Sequence, residues 1–285
     1  MIKNKKIKIV LWFLEILFIG FQLVTMTVTL KDYYLIYDWI FYCINYVIIV
    51  IPNLIYRKNR YIRWSLLYIG LLLFIVNTTF FYYVGNTNTI VSTSPDSQGK
   101  LILKEYKNMD FETMALKEKA ILFGKKTITL TGSSKYKTIQ EKTYKIYWID
   151  GNIAVLIYKP DDVDQLLQGV FTFRDSNYTH FQYVSAGLNG KWYDEKNTDN
   201  YFMYDKGEIV YAKDGQLYYY RSEDTDQVGD FALIVHGDKV KPSFTIILNS
   251  DCEFGEDNLI IKGGTITILP VKLDSVESNV YYREN

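Results

Sequence analysis

Cysteine is nearly missing from this 285-residue chain: Cys43 and Cys252 are the only two. A disulfide scaffold needs an even set of cysteines at short spacings, so that class is excluded. Five prolines and 17 glycines exclude a collagen-like or low-complexity chain. Histidine occurs twice, as His180 and His236, neither in an H-x-x-x-H pattern nor near a cysteine. Zinc sites draw several His or Cys ligands at set spacing, so no metal site is expected. A P-loop, a G-x-G-x-x-G turn and a G-x-S-x-G elbow are all lacking. No catalytic residue and no cofactor is therefore assigned from motifs. Net charge is lacking too, with 32 basic against 32 acidic residues.

That balance hides two unlike parts. Ile9–Leu30 contains only Glu15 as a charge, Tyr33–Tyr56 only Asp38, and Trp64–Val84 none. About 20 apolar residues cross a hydrocarbon core of about 30 Å, so three transmembrane helices are predicted. A secretory signal peptide competes for the first run, because Lys3, Lys5 and Lys6 resemble a basic leader. The run exceeds the usual 7–15 residues, however, and lacks a small-residue cleavage site. Orientation follows from basic residues beside the spans. Lys3, Lys5, Lys6 and Lys8 precede the first span, and Arg57, Lys58, Arg60 and Arg63 lie between the second and third. Both clusters are expected in the cytoplasm, which puts the N-terminus inside and everything after Val84 outside. The expected organisation is residues 1–84 in the membrane, 85–99 as a linker, and 100–285 as an extracytoplasmic domain.

Polar residues recur at spacings of seven within the spans: Glu15 and Gln22, Asp38 and Asn45, Gly70 and Asn77. In antiparallel hairpins, equal depth pairs Glu15 with Asn45, Gln22 with Asp38, Asp38 with Asn77, and Asn45 with Gly70. Two polar layers inside a three-helix bundle are expected, since polar groups in lipid need partners. An intramembrane carboxylate also marks a proton or ion site in the functional reading. In the structural reading, Glu15 is protonated, Asp38 reaches the outer surface and the amides hold helices together.

Residues 1–84 hold nine of the basic and three of the acidic residues, leaving 23 against 29 outside. This mildly acidic part argues against nucleic acid as a partner. Strand signals dominate it. Tyr144–Ile149 and Ile153–Tyr158 flank Asp150-Gly151-Asn152, and Glu208–Ala212 and Gln216–Arg221 flank Asp214-Gly215; Asp-Gly suits the positive φ of a type I′ turn. Phe231–His236 with Phe244–Leu248, and Leu259–Lys262 with Thr265–Val271, read as further pairs. Glu112–Phe123 fits neither period and is taken as a helix, and Asp161–Gln168 as one or two helical turns. An antiparallel sandwich or barrel-like domain of about ten to twelve strands is expected.

Asp224–Asp230 has a faint calcium-loop look but lacks the oxygen ligands at the right steps. Asp161, Asp162 and Asp164 read better as turn formers. Ser185, His180 and Asp175 carry the residue types of a nucleophile, base and orienter, without any supporting motif. The carboxylate pair of a glycosidase is set by the fold and not by spacing. Tyrosine occurs 26 times, and Tyr218-Tyr219-Tyr220 is a candidate interaction surface. On a strand, Tyr218 and Tyr220 face one way and Tyr219 the other.

Thr93-Ser94-Pro95-Asp96, Tyr147–Ile153, Phe231–Val235 and Gly263-Gly264-Thr265-Ile266 together resemble membrane-tethered proteins of low-GC Gram-positive bacteria. The resemblance covers the outer domain and implies no catalytic residue. The expected function is a binding module at the outer face of a bacterial plasma membrane, with lipid and a protein as partners, of an immunity or envelope-accessory type. The alternatives are an envelope hydrolase using acidic residues and a sensor or transport accessory working through Glu15 and Asp38.

Overall fold

The structure is a computed structural model and describes residues 4–55, 60–161, 165–174, 183–255, 260–261, 263–274 and 277–283. Two compact units divide the chain: Met1–Ser92, Lys100–Lys142 and Pro160–Asp162 form one, and Thr93–Gly99, Thr143–Lys159 and Val163–Asn285 the other.

The first unit begins with α1 (Lys5–Thr29), whose first turn is capped by Asn4 accepting from the Lys6 N–H at 2.9 Å. Asp32 then takes φ 61° and turns the chain into β1 (Tyr33–Leu35). Next come α2 (Trp39–Ile55), α3 (Arg60–Phe80) and a π-turn over Phe81–Gly85. Four strands follow: β2 (Thr87–Thr93), β3 (Lys100–Tyr106), β4 (Met114–Ala120) and β5 (Phe123–Thr129). They form one sheet with β1, in the order β1-β5-β4-β3-β2.

Three expectations change here. Among the described residues, only α1 and the continuous helical run Arg60–Gly85 are long and apolar enough to cross a membrane. α2 has 17 residues, about 25 Å at 1.5 Å each. It is short because Tyr33–Leu35, counted into the second span, is extended and paired with Phe123–Lys125. Second, the segment read as a linker contains β2, whose β-branched Thr, Ile and Val suit a strand, here at the sheet edge. Third, the helix expected over Glu112–Phe123 is the β4–β5 hairpin. Register shifts at Ala115/Leu116 and Glu118/Ala120 break its period-two pattern, which hid the strand.

The second unit opens with a three-stranded sheet of β6 (Tyr144–Ile149), β7 (Ile153–Tyr158) and β8 (Leu167–Thr172). β8 takes the end of the segment read as helical turns; Asp162 and Asp164 lie outside the described residues. After a single helical turn, α4 (Val184–Gly187), come β9 (Gly190–Asp194), β10 (Tyr201–Asp205), β11 (Glu208–Lys213) and β12 (Gln216–Arg221). A 3-10 turn over Ser222–Asp224 leads to β13 (Thr225–Val228), β14 (Ala232–Val235), β15 (Phe244–Leu248), β16 (Thr265–Pro270) and β17 (Asn279–Arg283). All nine join one antiparallel sheet in the order β12-β11-β10-β9-β17-β16-β15-β14-β13. The two-residue Asp214-Gly215 turn carries φ of 51° and 79°, as a type I′ hairpin demands, and Asp150-Gly151, in a three-residue loop between Ile149 and Ile153, carries 50° and 72°. Of the pairing expected between Leu259–Lys262 and Thr265–Val271, Leu259 and Lys262 lie outside the described residues, and Ile260 bridges Phe254 instead. Gly263 turns the chain with φ 101°, and β16 takes β15 and β17 as neighbours.

The nine-stranded sheet curls until it is nearly a barrel. Trp192, Phe202, Tyr211, Tyr220, Leu233, Ile246 and Tyr281 come from seven different strands and share one core. Phe244 of β15 lies 4.5 Å from the Tyr211 ring and 5.6 Å from Tyr220, which sits at the far edge of the strand order. The opposite face of the same strands packs on the small sheet, where Ile247 and Leu269 meet Ile153, Val155 and Ile157. β15 is thus buried on both faces, and each such aliphatic side chain contributes about 1.5–3 kcal/mol by leaving water.

Candidate functional site

Four polar residues of α1 and α3 point inward while apolar neighbours point out. Glu15, Gln22, Thr25 and Asn77 are buried, whereas Phe13, Ile16, Leu23 and Ile75 are exposed. Asn45 donates to Asn77 Oδ1 at 3.0 Å, and Asn77 donates to the Tyr42 carbonyl at 3.1 Å. Gln22 donates to the Phe41 carbonyl at 2.9 Å. Asn77 therefore meets Asn45 where Asp38 was expected, because α2 starts only at Trp39 and its register against α3 is displaced. Glu15 Oε2 and Gln22 Oε1 are buried without a hydrogen-bond partner.

Asp38 is drawn out of the helical layer by a residue the sequence did not point to. Lys104, in the middle of β3, is fully buried, and its Nζ lies 2.6 Å from Asp38 Oδ2. The contact is a close ion pair without the angles of a hydrogen bond, since Oδ2 has no hydrogen-bond partner. Lys104 donates instead to the Leu35 carbonyl at 2.8 Å. Burial pushes the Lys104 ammonium below its ordinary range, and the Asp38 charge works against that push. Its sequence neighbour Glu105 faces the other way and is equally buried. The Glu105 carboxylate accepts from the Ile139 N–H at 2.8 Å, the Gln140 N–H at 3.0 Å and Asn88 Nδ2 at 3.1 Å. It thereby pins a distant loop to β3. Glu105→Ala strands those donors and is expected to cost about 1–3 kcal/mol, read as faster amide hydrogen exchange at Ile139 and Gln140. The only hint in the sequence is a Lys-Glu pair interrupting an apolar strand.

In the second unit β12 and β13 end the strand order without pairing, and a cleft of about 550 Å³ lies against β11 and β12. Glu208, Tyr219, Arg221, Glu223, Asp224 and Lys241 line it. β12 is an edge strand, so one row of its main-chain groups lacks a strand partner. Side chains cover part of that row. The Arg221 N–H donates to Asp224 Oδ2 at 3.0 Å, and Lys241 Nζ donates to the Tyr219 carbonyl at 3.4 Å. Because N–H and C=O of one residue point to the same side of an antiparallel strand, Leu217, Tyr219 and Arg221 share this open edge. Lys241 also stands 3.8 Å from Asp224 and 5.0 Å from the Tyr220 ring centre.

The tyrosine run divides as its alternation requires. Tyr220 is buried and donates to the Pro242 carbonyl at 2.6 Å, and Tyr218 packs against the barrel core. Tyr219 is 62% exposed and Leu217 52%. Of the other candidates, His180 and Asp175 lie outside the described residues, and Ser185 sits in α4. Asp224–Asp230 is a 3-10 turn and strand in place of a calcium loop, with Asp226 Oδ2 2.9 Å from His236 Nε2. Among the described residues, no group of three His, Cys, Asp or Glu could hold a metal. Cys252 is buried in the barrel, where desolvation pushes its thiol up to about 12, away from the reactive thiolate.

No family model matches this chain, and neither does any curated protein or solved structure.

Proposed function

We propose that this chain is an integral protein of a bacterial plasma membrane that presents its barrel-like unit, outside the cytoplasm, as a binding module for another polypeptide. In this reading α2 crosses together with α1 and α3, and the bilayer thins or the flanking residues reach out to meet its short apolar stretch. The inverted helices, polar inside and apolar outside, support the membrane placement, because lipid alone covers exposed rows of Phe, Ile and Leu at no cost. The two basic clusters support a cytoplasmic N-terminus.

The observation that carries the binding reading is the open edge of β12. It combines main chain without a strand partner with exposed Leu217 and Tyr219 beside a cleft of mixed charge. Strand edges of this kind recruit extended segments through main-chain hydrogen bonds, with side-chain pockets supplying selectivity. An immunity or envelope-accessory role is the concrete form proposed.

A photo-crosslinking residue at Tyr219 in the full chain, irradiated in native membranes, tests it. One stoichiometric protein adduct from position 219, and none from the exposed control position Asp199, is the expected result. Equal labelling at both positions, or none at 219, overturns the reading.

A further inference from the structure

The first unit carries an apolar tip where a soluble sheet would have none. The two-residue turn of the β4–β5 hairpin is Ile121-Leu122, and Ile121 is 89% exposed. Ala120 beside it is exposed too. The tip stands alongside the helices. The Phe123 ring lies 6.5 Å from Phe21 of α1, and the Leu122 carbonyl accepts from the Ile36 N–H at 2.9 Å, just before α2 begins. Phe21 is eight residues from the Thr29 end of α1, or about 12 Å down the helix.

Lysines ring the tip. Lys119 and Lys125 are exposed and Lys126 half-buried, and Lys125 Nζ stands 5.9 Å from the Tyr33 ring centre. Tyr33 pairs with Lys125 and Leu35 with Phe123, so the lysines sit nearer the α1–β1 turn and the apolar residues nearer α2. An apolar point below a basic collar is the arrangement of a group set into a bilayer interface, with ammonium heads at the phosphates. One main-chain group of the turn, the Leu122 carbonyl, is already satisfied by Ile36, which lowers the cost of placing it there.

We propose that the β4–β5 hairpin dips Ile121 into the outer leaflet and that Lys119, Lys125 and Lys126 bind the phosphates of anionic lipid. This rests on α1 spanning the membrane. The hairpin then fixes the first sheet against the bilayer as a fourth point of contact beside the helices. The occupant is lipid, because the tip continues the exposed apolar surface of α1 and its collar is cationic while residues 85–285 are acidic overall.

The test uses the full chain in nanodiscs of phosphatidylglycerol and phosphatidylcholine in equal parts, with Cys43→Ser and Cys252→Ala as background. A nitroxide is placed through Ile121→Cys and, separately, Ile16→Cys on the exposed face of α1. At both sites, collisions with dissolved oxygen are expected to exceed those with an aqueous nickel chelate. Lys119→Gln, Lys125→Gln and Lys126→Gln together are expected to lower the preference for spin-labelled phosphatidylglycerol over phosphatidylcholine by about fivefold or more. A label at 121 that favours the nickel chelate while Ile16→Cys favours oxygen overturns the hairpin proposal alone. If both labels are aqueous, the spanning reading falls with it. Unchanged lipid preference in the triple variant, with 121 still in lipid, overturns the phosphate assignment.

Discussion

Asp38→Ala is expected to destabilise the first unit by about 3–5 kcal/mol, because it leaves the Lys104 ammonium buried with one carbonyl for company. Amide hydrogen exchange along β3, in the full chain in micelles, reads the loss. The pair itself is worth much less than this figure. Desolvating two ions offsets most of their attraction, so the joint replacement Asp38→Leu with Lys104→Met is expected to regain most of the stability. A double variant as unstable as the single one would mean that Asp38 matters through some other contact. The pH dependence supplies a second readout. Lys104 binds its proton less tightly folded than unfolded, so below the ordinary lysine value of 10.5 the unfolded chain holds more protons. Stability should therefore rise as pH climbs toward 10.5 and flatten above it. Lys104→Met should remove that rise, and the difference between the two profiles isolates this residue from other titrating groups.

The pair also explains what was legible in the sequence and what was not. Local chemistry announced itself: Asp150-Gly151 and Asp214-Gly215 mark their hairpins because few other residues tolerate two successive positive φ values. Long apolar runs marked α1 and α3 for the same kind of reason, since helix length against bilayer thickness is a local property. Tyr33–Leu35 reads as part of a span because its apolar character is real. Its partner strand, Phe123–Lys125, lies some ninety residues away, and no local pattern reports that distance. Glu112–Phe123 does not show itself as a strand because two register shifts erase the alternation that identifies one. Lys104 was invisible as a site for a related reason. A lysine is ordinary on an exposed strand face, and only the sheet order places that face against Asp38. Of the tyrosine run, alternation gave the facing of each ring, but the open edge of β12 depends on where the sheet stops.

Phe244→Ala is expected to have the largest effect in the second unit, a loss of about 3–5 kcal/mol. Phe244 is fully buried and touches rings from both β11 and β12, so it joins strands separated by most of the sheet order. Near-closure of the barrel depends on such cross-barrel contacts, because β12 and β13 share no ladder. Removing the ring leaves a cavity and also frees the β12 edge, which otherwise rests on Tyr220 packed against Phe244. Two consequences separate this account from a simple loss of core volume. Chemical denaturation should show the midpoint falling, and hydrogen exchange should rise first in β11 and β12, before β16 and β17. Tyr220→Phe keeps the ring and deletes only the 2.6 Å bond to the Pro242 carbonyl, so it should cost about 1 kcal/mol and loosen the same two strands. Uniform loosening of all nine strands in Phe244→Ala would show that closure does not run through this ring. Selective loosening would place the mobile edge where the partner segment is proposed to bind, and Tyr220→Phe should then alter crosslinking at Tyr219 while the rest of the unit stays folded.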